Sequence, residues 1–221
     1  MAVGRWELGV GSWELRHSLL VRITHWLTAL SVAGLLVSGA AILIAHPRLY
    51  WGETGSLETP SLIDLPLTLT LGHSGWGRYL HFLSAWLCVL TGLIYVLSGL
   101  VTKHFRRDLL PARSPLAGPL LSSPADSYNI VQRVTYLCVV FVLFPFIVVT
   151  GLAMSPAVTS VTPGLATTFG GHQSARTIHF FAASAVTLFV IGHVTMVVAA
   201  GFAVRVMAMI TGGRAAAQEH V

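Results

Sequence analysis

Histidines 25, 81, 179 and 193 stand inside long apolar stretches of this 221-residue sequence. An ionisable ring inside a membrane span is costly unless it is paired, and each such ring is either hydrogen-bonded structure or a functional group such as a metal ligand. His179 and His193 are fourteen residues apart, which on an α-helix is about 21 Å of rise and within roughly 40° of whole turns. They therefore face one side of one helix at two depths. Tracing the chain back and forth across a membrane puts His81 level with His179 and His25 level with His193. Two pairs of imidazoles, one near each face, form the axial ligand set of two stacked six-coordinate haems.

A second regularity accompanies three of them: Arg22 precedes His25, Arg78 precedes His81 and Arg176 precedes His179, each by three residues. At i and i+3 the two side chains share a helix face, so the Arg can pair with a haem propionate while the His binds iron. Anchoring of the helix end in the interface fits the same spacing. Gly39 and Gly92 return to nearly the same faces as His25 and His81 at another depth; missing side chains there let a flat macrocycle approach, or let helices pack closely. His17, His46, His73, His104, His172 and His220 fall in termini or loops, where surface roles are expected. No His-x-x-His box is present, and the single Glu-x-x-His spacing, Glu14 to His17, stands ahead of the first apolar run rather than within a span, which argues against a membrane zinc or di-iron enzyme. No phosphate-binding glycine loop is present either.

The elements that must position these residues follow from composition. The chain is 54% hydrophobic and 10% charged, so a lipid bilayer must supply much of its solvent. The net charge of +5 does not imply nucleic acid, because the basic residues sit at the ends of apolar runs and form no patch interleaved with aromatics. Cys88 and Cys138 lie within apolar runs, so neither a disulfide framework nor a Cys-x-x-Cys-His haem attachment is available. Four stretches, about 23–45, 79–101, 129–153 and 177–204, are long enough to cross a hydrocarbon core of about 30 Å as helices. The first is too long for the apolar part of a cleaved signal peptide and reads as a retained span. The expected fold is all-α: an integral membrane four-helix bundle forming a single membrane domain over 1–221. Most Lys and Arg fall on one side, including Arg5, Arg16, Arg22, Lys103, Arg106, Arg107, Arg113, Arg133, Arg205 and Arg214; Arg48, Arg78 and Arg176 fall on the other. The positive-inside rule then makes both termini cytoplasmic, loops 46–78 and 154–176 outer, and loop 103–127 inner. The loop 46–78 carries Trp51, Trp76 and the short apolar run 65–71, readable as a docking surface or a re-entrant segment.

The stretches RITHW, GRYLHF with the following HFRRDL, YNIVQR, and GGHQSARTIHFF ending in GHV resemble the bacterial di-haem cytochrome b subunits. That family includes the thiosulfate reductase cytochrome b, the nickel-iron hydrogenase cytochrome b, the formate dehydrogenase gamma subunit and cytochrome b561-like proteins. The resemblance covers residues 17 to about 204 and is strongest to the thiosulfate reductase branch. It implies two b-type haems held by His25, His81, His179 and His193, in a multi-pass protein of the bacterial inner membrane. It also implies a quinone site beside the inner haem, built from an Asn and a Gln that match Asn129 and Gln132; as a residue in its own right, Asn129 serves equally as a helix cap. The implied partner is a periplasmic redox subunit, of a molybdenum-cofactor, sulfite-oxidase-like kind, exchanging electrons with the quinone pool. Loop 46–78 departs from the better-known members in length and sequence. The alternatives are a standalone cytochrome b561-type quinone oxidoreductase with a small-molecule donor such as superoxide, and a haem-free anchor or transporter using the histidines as proton relays.

Overall fold

The computed structural model describes residues 14–15, 18–56, 58–66, 75–102 and 130–214. In chain order the elements are β1 (Glu14–Leu15), α1 (Leu19–Ala45), β2 (Arg48–Leu49), β3 (Ile63–Asp64), α2 (Gly75–Val101) and α3 (Ile130–Cys138). A π-helical segment (Val139–Leu143), α4 (Phe144–Ala153), α5 (Pro156–Thr159), α6 (Gly164–Thr168), α7 (His172–Ala199), α8 (Phe202–Thr211) and β4 (Gly213–Arg214) follow. Four helices are long and apolar enough to cross a membrane: α1, α2, the composite third span from α3 through α4, and α7. The fold is therefore mostly helical, with two-residue strand pairs β1–β4 and β2–β3 as its sheet.

Burial follows the logic of a lipid-solvated bundle. Small and hydroxylated side chains, among them Ser31, Ser38, Thr91, Thr150, Ala153 and Ala182, lie inside, while Leu83, Trp86, Leu90 and Leu97 point outward. Between helices in lipid there is no hydrophobic driving force, so close packing by small residues takes its place. The buried hydroxyls bond carbonyls of their own helices: Ser31 donates to Leu27 at 2.7 Å and Thr91 to Leu87 at 2.9 Å.

The spans pair as two antiparallel hairpins. Between α1 and α2, Gly77 meets Ala41, Gly34 meets Ser84, and Thr28 shares a hydrogen bond of 3.1 Å with Thr91. Between the third span and α7, Thr150 and Gly151 meet His179, and Tyr136 meets His193. In the third span the helix widens just before Pro145, and the Phe144 N–H bonds the Val139 carbonyl five residues back. Proline has no N–H and its ring crowds the carbonyl four residues earlier, so a π turn is the local accommodation. The fourth span ends at Ala199, short of the expected 204: Gly201, at φ 94°, turns the chain out of the axis and α8 begins at Phe202.

The described part of the loop 46–78 is a folded cap. Strands β2 and β3 pair and are clasped by an Arg48–Asp64 ion pair of 3.0 Å. Beyond β2 the chain lies across the start of α7, where Gly171 offers no capping side chain. The Gly52 carbonyl accepts from the Gln173 and Ser174 N–H groups at 2.9 and 3.2 Å. The Ser174 hydroxyl accepts from Gly52 N–H at 2.8 Å, and Thr177 donates to the Tyr50 carbonyl at 2.7 Å. These bonds satisfy donors that a helix N-terminus otherwise leaves open. Much of the apolar run 65–71 lies outside the described residues.

Gly171 is the fulcrum of this junction. Its φ is +110°, and a Cβ there would sit 2.6 Å from the Gly52 carbonyl and 2.7 Å from the Glu53 nitrogen, both backbone. Gly171→Ala is therefore expected to destabilise the junction by about 1–3 kcal/mol, checked as a lower thermal midpoint in detergent and faster amide exchange over residues 46–56.

Candidate functional site

Spacing along the four spans generates three layers across the bundle. Residues seven apart on a helix return to within about 20° of one face, and such series run His25–Val32–Gly39, His81–Cys88–Tyr95, Tyr136–Leu143–Thr150 and His179–Val186–His193. The middle layer is apolar: Val32, Cys88 and Val186 form a buried cluster, with Leu143 and its neighbours packed against it. The histidines stand in the layers on either side.

The structure brings His81 and His179 together, with ring centres 6.2 Å apart and planes at 64°. It brings His25 and His193 together likewise, at 6.3 Å and 55°. Two imidazoles bound on opposite sides of one iron, with metal–nitrogen distances of about 2.0 Å and each ring centre roughly 1.1 Å behind its nitrogen, would have ring centres about 6.2 Å apart. Both separations match. Each pair joins a helix of the first hairpin to α7, so a group held between them bridges the hairpins.

Hydrogen bonds at the other ring nitrogens favour ligation. His81 Nδ1 lies 3.0 Å from the Ser38 hydroxyl, His179 Nδ1 lies 3.0 Å from the Thr150 hydroxyl, and His193 Nδ1 lies 3.1 Å from the Tyr136 phenol. Such partners at Nδ1 orient the ring and leave Nε2 to bind a metal. Among the described residues no group of three or more His, Cys, Asp or Glu converges. Two protein ligands per site suit a haem, whose macrocycle supplies the other four donors, and do not suit a bare zinc or di-iron centre. Gly39 and Gly151 leave room beside His81 and His179, and Gly92 leaves room at another depth. A Cβ on Gly39 would lie 3.8 Å from His81 Cε1, one on Gly151 would lie 3.4 Å from His179 Cε1, and one on Gly92 would meet nothing within 4 Å.

The three arginines have distinct settings. Arg176 donates to the His46 carbonyl at the end of α1. Arg78 also faces His46, whose pKa is held below the ordinary imidazole range by partial burial, then by Arg176 and Arg78. Two cations thus converge at the end of the bundle nearest His81 and His179, a setting suited to carboxylates. Arg22 instead donates to the Ile210 carbonyl at the end of α8, and the neighbouring Trp26 indole donates to Met209 at 3.4 Å. That is a C-terminal helix cap by a basic side chain. Asn129 lies outside the described residues, and Gln132 is placed on α3 with its side chain outside the description. His172, expected in a loop, is the first residue of α7, with its Nε2 3.2 Å from the Met154 carbonyl.

Sequence reasoning missed Ser38, Thr150, Tyr136 and His46. The first two carried a readable signal: Ser38–Gly39 and Thr150–Gly151 are the same hydroxyl–glycine pair, set in the first and third spans. Because Arg22 and Trp26 are what fasten α8 to α1, Arg22→Ala is expected to speed amide exchange over residues 202–211 by about fivefold to tenfold. Hydrogen exchange with mass-spectrometric readout checks this, and unchanged exchange would show that the contact is idle.

A family model described as prokaryotic cytochrome b561 matches residues 16–212. The chain is also 33% identical over 193 residues to the "Putative protein-methionine-sulfoxide reductase subunit YedZ1" of Azospira oryzae, an alignment covering 82% of this chain and 89% of that one.

Proposed function

Because this chain belongs to the prokaryotic cytochrome b561 family, a family of membrane haem b proteins in electron transport, we propose that it is a di-haem electron-transfer subunit. It is a multi-pass protein of the bacterial inner membrane. In this reading His81 and His179 hold one haem b near the outer face and His25 and His193 hold a second near the inner face. The observation that carries it is the pair of ring separations, 6.2 and 6.3 Å, at two levels of one bundle. Bound there, haem b supplies a reversible one-electron ferric–ferrous couple. The chain's own residues fix the rings through Ser38, Thr150 and Tyr136, and present Arg78 and Arg176 to the propionates of the outer group. Arg22, which engages α8 through one terminal nitrogen, keeps further N–H groups that would serve the inner group. The apolar layer of Val32, Cys88 and Val186 excludes water between the two levels.

The outer face would exchange electrons with a periplasmic redox subunit, and the inner face with membrane quinone beside Asn129 and Gln132. Support for a partner comes from the relative's designation as a reductase subunit and from the folded outer cap, which leaves Trp51, Leu62 and Val161 exposed. Resemblance of the sequence to the thiosulfate reductase-type cytochromes supports a molybdenum-cofactor, sulfite-oxidase-like partner. Both termini, with Arg22, Arg205 and Arg214, would face the cytoplasm.

Reduced-minus-oxidised spectra with redox titration test the ligand pairs. His81→Ala and His179→Ala are expected to remove the same b-type component, and His25→Ala and His193→Ala the other, with near-complete loss in each case. Loss of one shared component from His25→Ala and His81→Ala would overturn the pairing. Asn129→Ala is expected to slow quinone turnover by roughly tenfold, the worth of one good hydrogen bond, with both haem spectra kept; quinone kinetics equal to wild type would remove Asn129 from the site.

A further inference from the structure

Ser38 and Thr150 occupy equivalent places in the two hairpins, each opposite one of the outer-level histidines and each followed by a glycine. Both side chains are fully buried, so water does not compete for their bonds. The Ser38 oxygen lies 2.6 Å from the Gly34 carbonyl and 3.2 Å from that of Leu35. Two oxygens at 2.6 Å repel unless a proton lies between them, so the Ser38 hydroxyl donates to its own helix and can only accept from His81. Thr150 also donates within its own helix, to the Phe146 and Ile147 carbonyls at 3.1 and 3.0 Å, the usual bonding of a threonine hydroxyl inside a helix. The donor in both histidine contacts must then be Nδ1–H. Gly39 and Gly151 stand beside the same rings: a Cβ at either would lie at contact distance, 3.8 or 3.4 Å, from Cε1 of His81 or His179.

The inner level is built differently. His193 Nδ1 meets the Tyr136 phenol at 3.1 Å and stacks on Phe189 at 5.9 Å with planes 21° apart. A phenol both gives and takes a proton, so the locking argument belongs to the outer pair.

We propose that Ser38 and Thr150 are positioning residues that lock His81 and His179 in the Nδ1–H tautomer and bias the outer iron towards its ferric state. This rests on the ligation reading above. A ring bound to ferric iron carries more positive charge than one bound to ferrous iron, and its Nδ1–H is the stronger donor. A fixed acceptor therefore stabilises the oxidised form more than the reduced one and lowers the potential.

The test is potentiometric titration of the haem-loaded full chain, with the outer haem identified as the one that His81→Ala lacks. Ser38→Ala and the near-isosteric Thr150→Val are each expected to raise its midpoint potential, read as a ferric-to-ferrous ratio about threefold to tenfold lower at the wild-type midpoint. The inner haem should titrate as in wild type. Ser38→Thr and Thr150→Ser keep the acceptor and should keep the wild-type potential. Wild-type titration of the outer haem in both Ser38→Ala and Thr150→Val would overturn the proposal, as would equal shifts of both haems. Loss of the outer haem from Thr150→Ser as well as Thr150→Val would mark a packing role and overturn it too. Should His81→Ala and His179→Ala remove different haems, it is the ligand pairing that fails.

Discussion

An imidazole inside a bilayer has two nitrogens, and hydrocarbon satisfies neither. Much of this bundle follows from meeting that requirement at His81, His179 and His193. At the level of His81 and His179 one nitrogen of each ring meets a buried hydroxyl, Ser38 or Thr150, that also bonds its own helix. The two rings then face each other with their centres 6.2 Å apart. Polar groups that would be a liability singly become a frame when each is held by the next.

Helix geometry carries the frame from one depth to the other. In α1, α2 and α7 seven-residue steps keep the inward positions on one face, so the His81–His179 level, an apolar middle level of Val32, Cys88 and Val186, and the His25–His193 level stack without the helices having to rotate. Antiparallel pairing of α1 with α2 and of the third span with α7 then puts hydroxyl residues of one helix opposite histidines of its partner. The π turn before Pro145 lies between Tyr136 and Thr150, the two residues of the third span that touch histidines of α7. Its wider turn belongs to the register that lets both contacts form.

The two ends of the bundle are finished by different means. On the His81 and His179 side a strand pair and the backbone of Tyr50 and Gly52 close over the start of α7, leaving Arg78 and Arg176 beside His46. On the His25 side α8 turns back at Gly201 and is fastened by Arg22 and Trp26. The repeated Arg-x-x-His spacing thus serves two local structures: two arginines gathered with His46, and a third engaged as a helix cap.

Membership of the bilayer, the four spans and the two depths of the histidines were legible in the sequence. Apolar length and the rise per residue of a helix are properties of a single segment and need no knowledge of its neighbours. The partners at Nδ1 were not legible, because Ser38 and His81, or Thr150 and His179, lie on different helices and serine and threonine are common in membrane spans for packing alone. Nor was the fate of Arg22, whose acceptor is a carbonyl 188 residues away. The sequence by itself determined how many helices cross and at which depths the histidines stand, since local periodicity decides both. Only the tertiary structure decided what holds the second nitrogen of His81, His179 and His193 and which arginines stay at hand, because those depend on the register between helices that no single segment encodes.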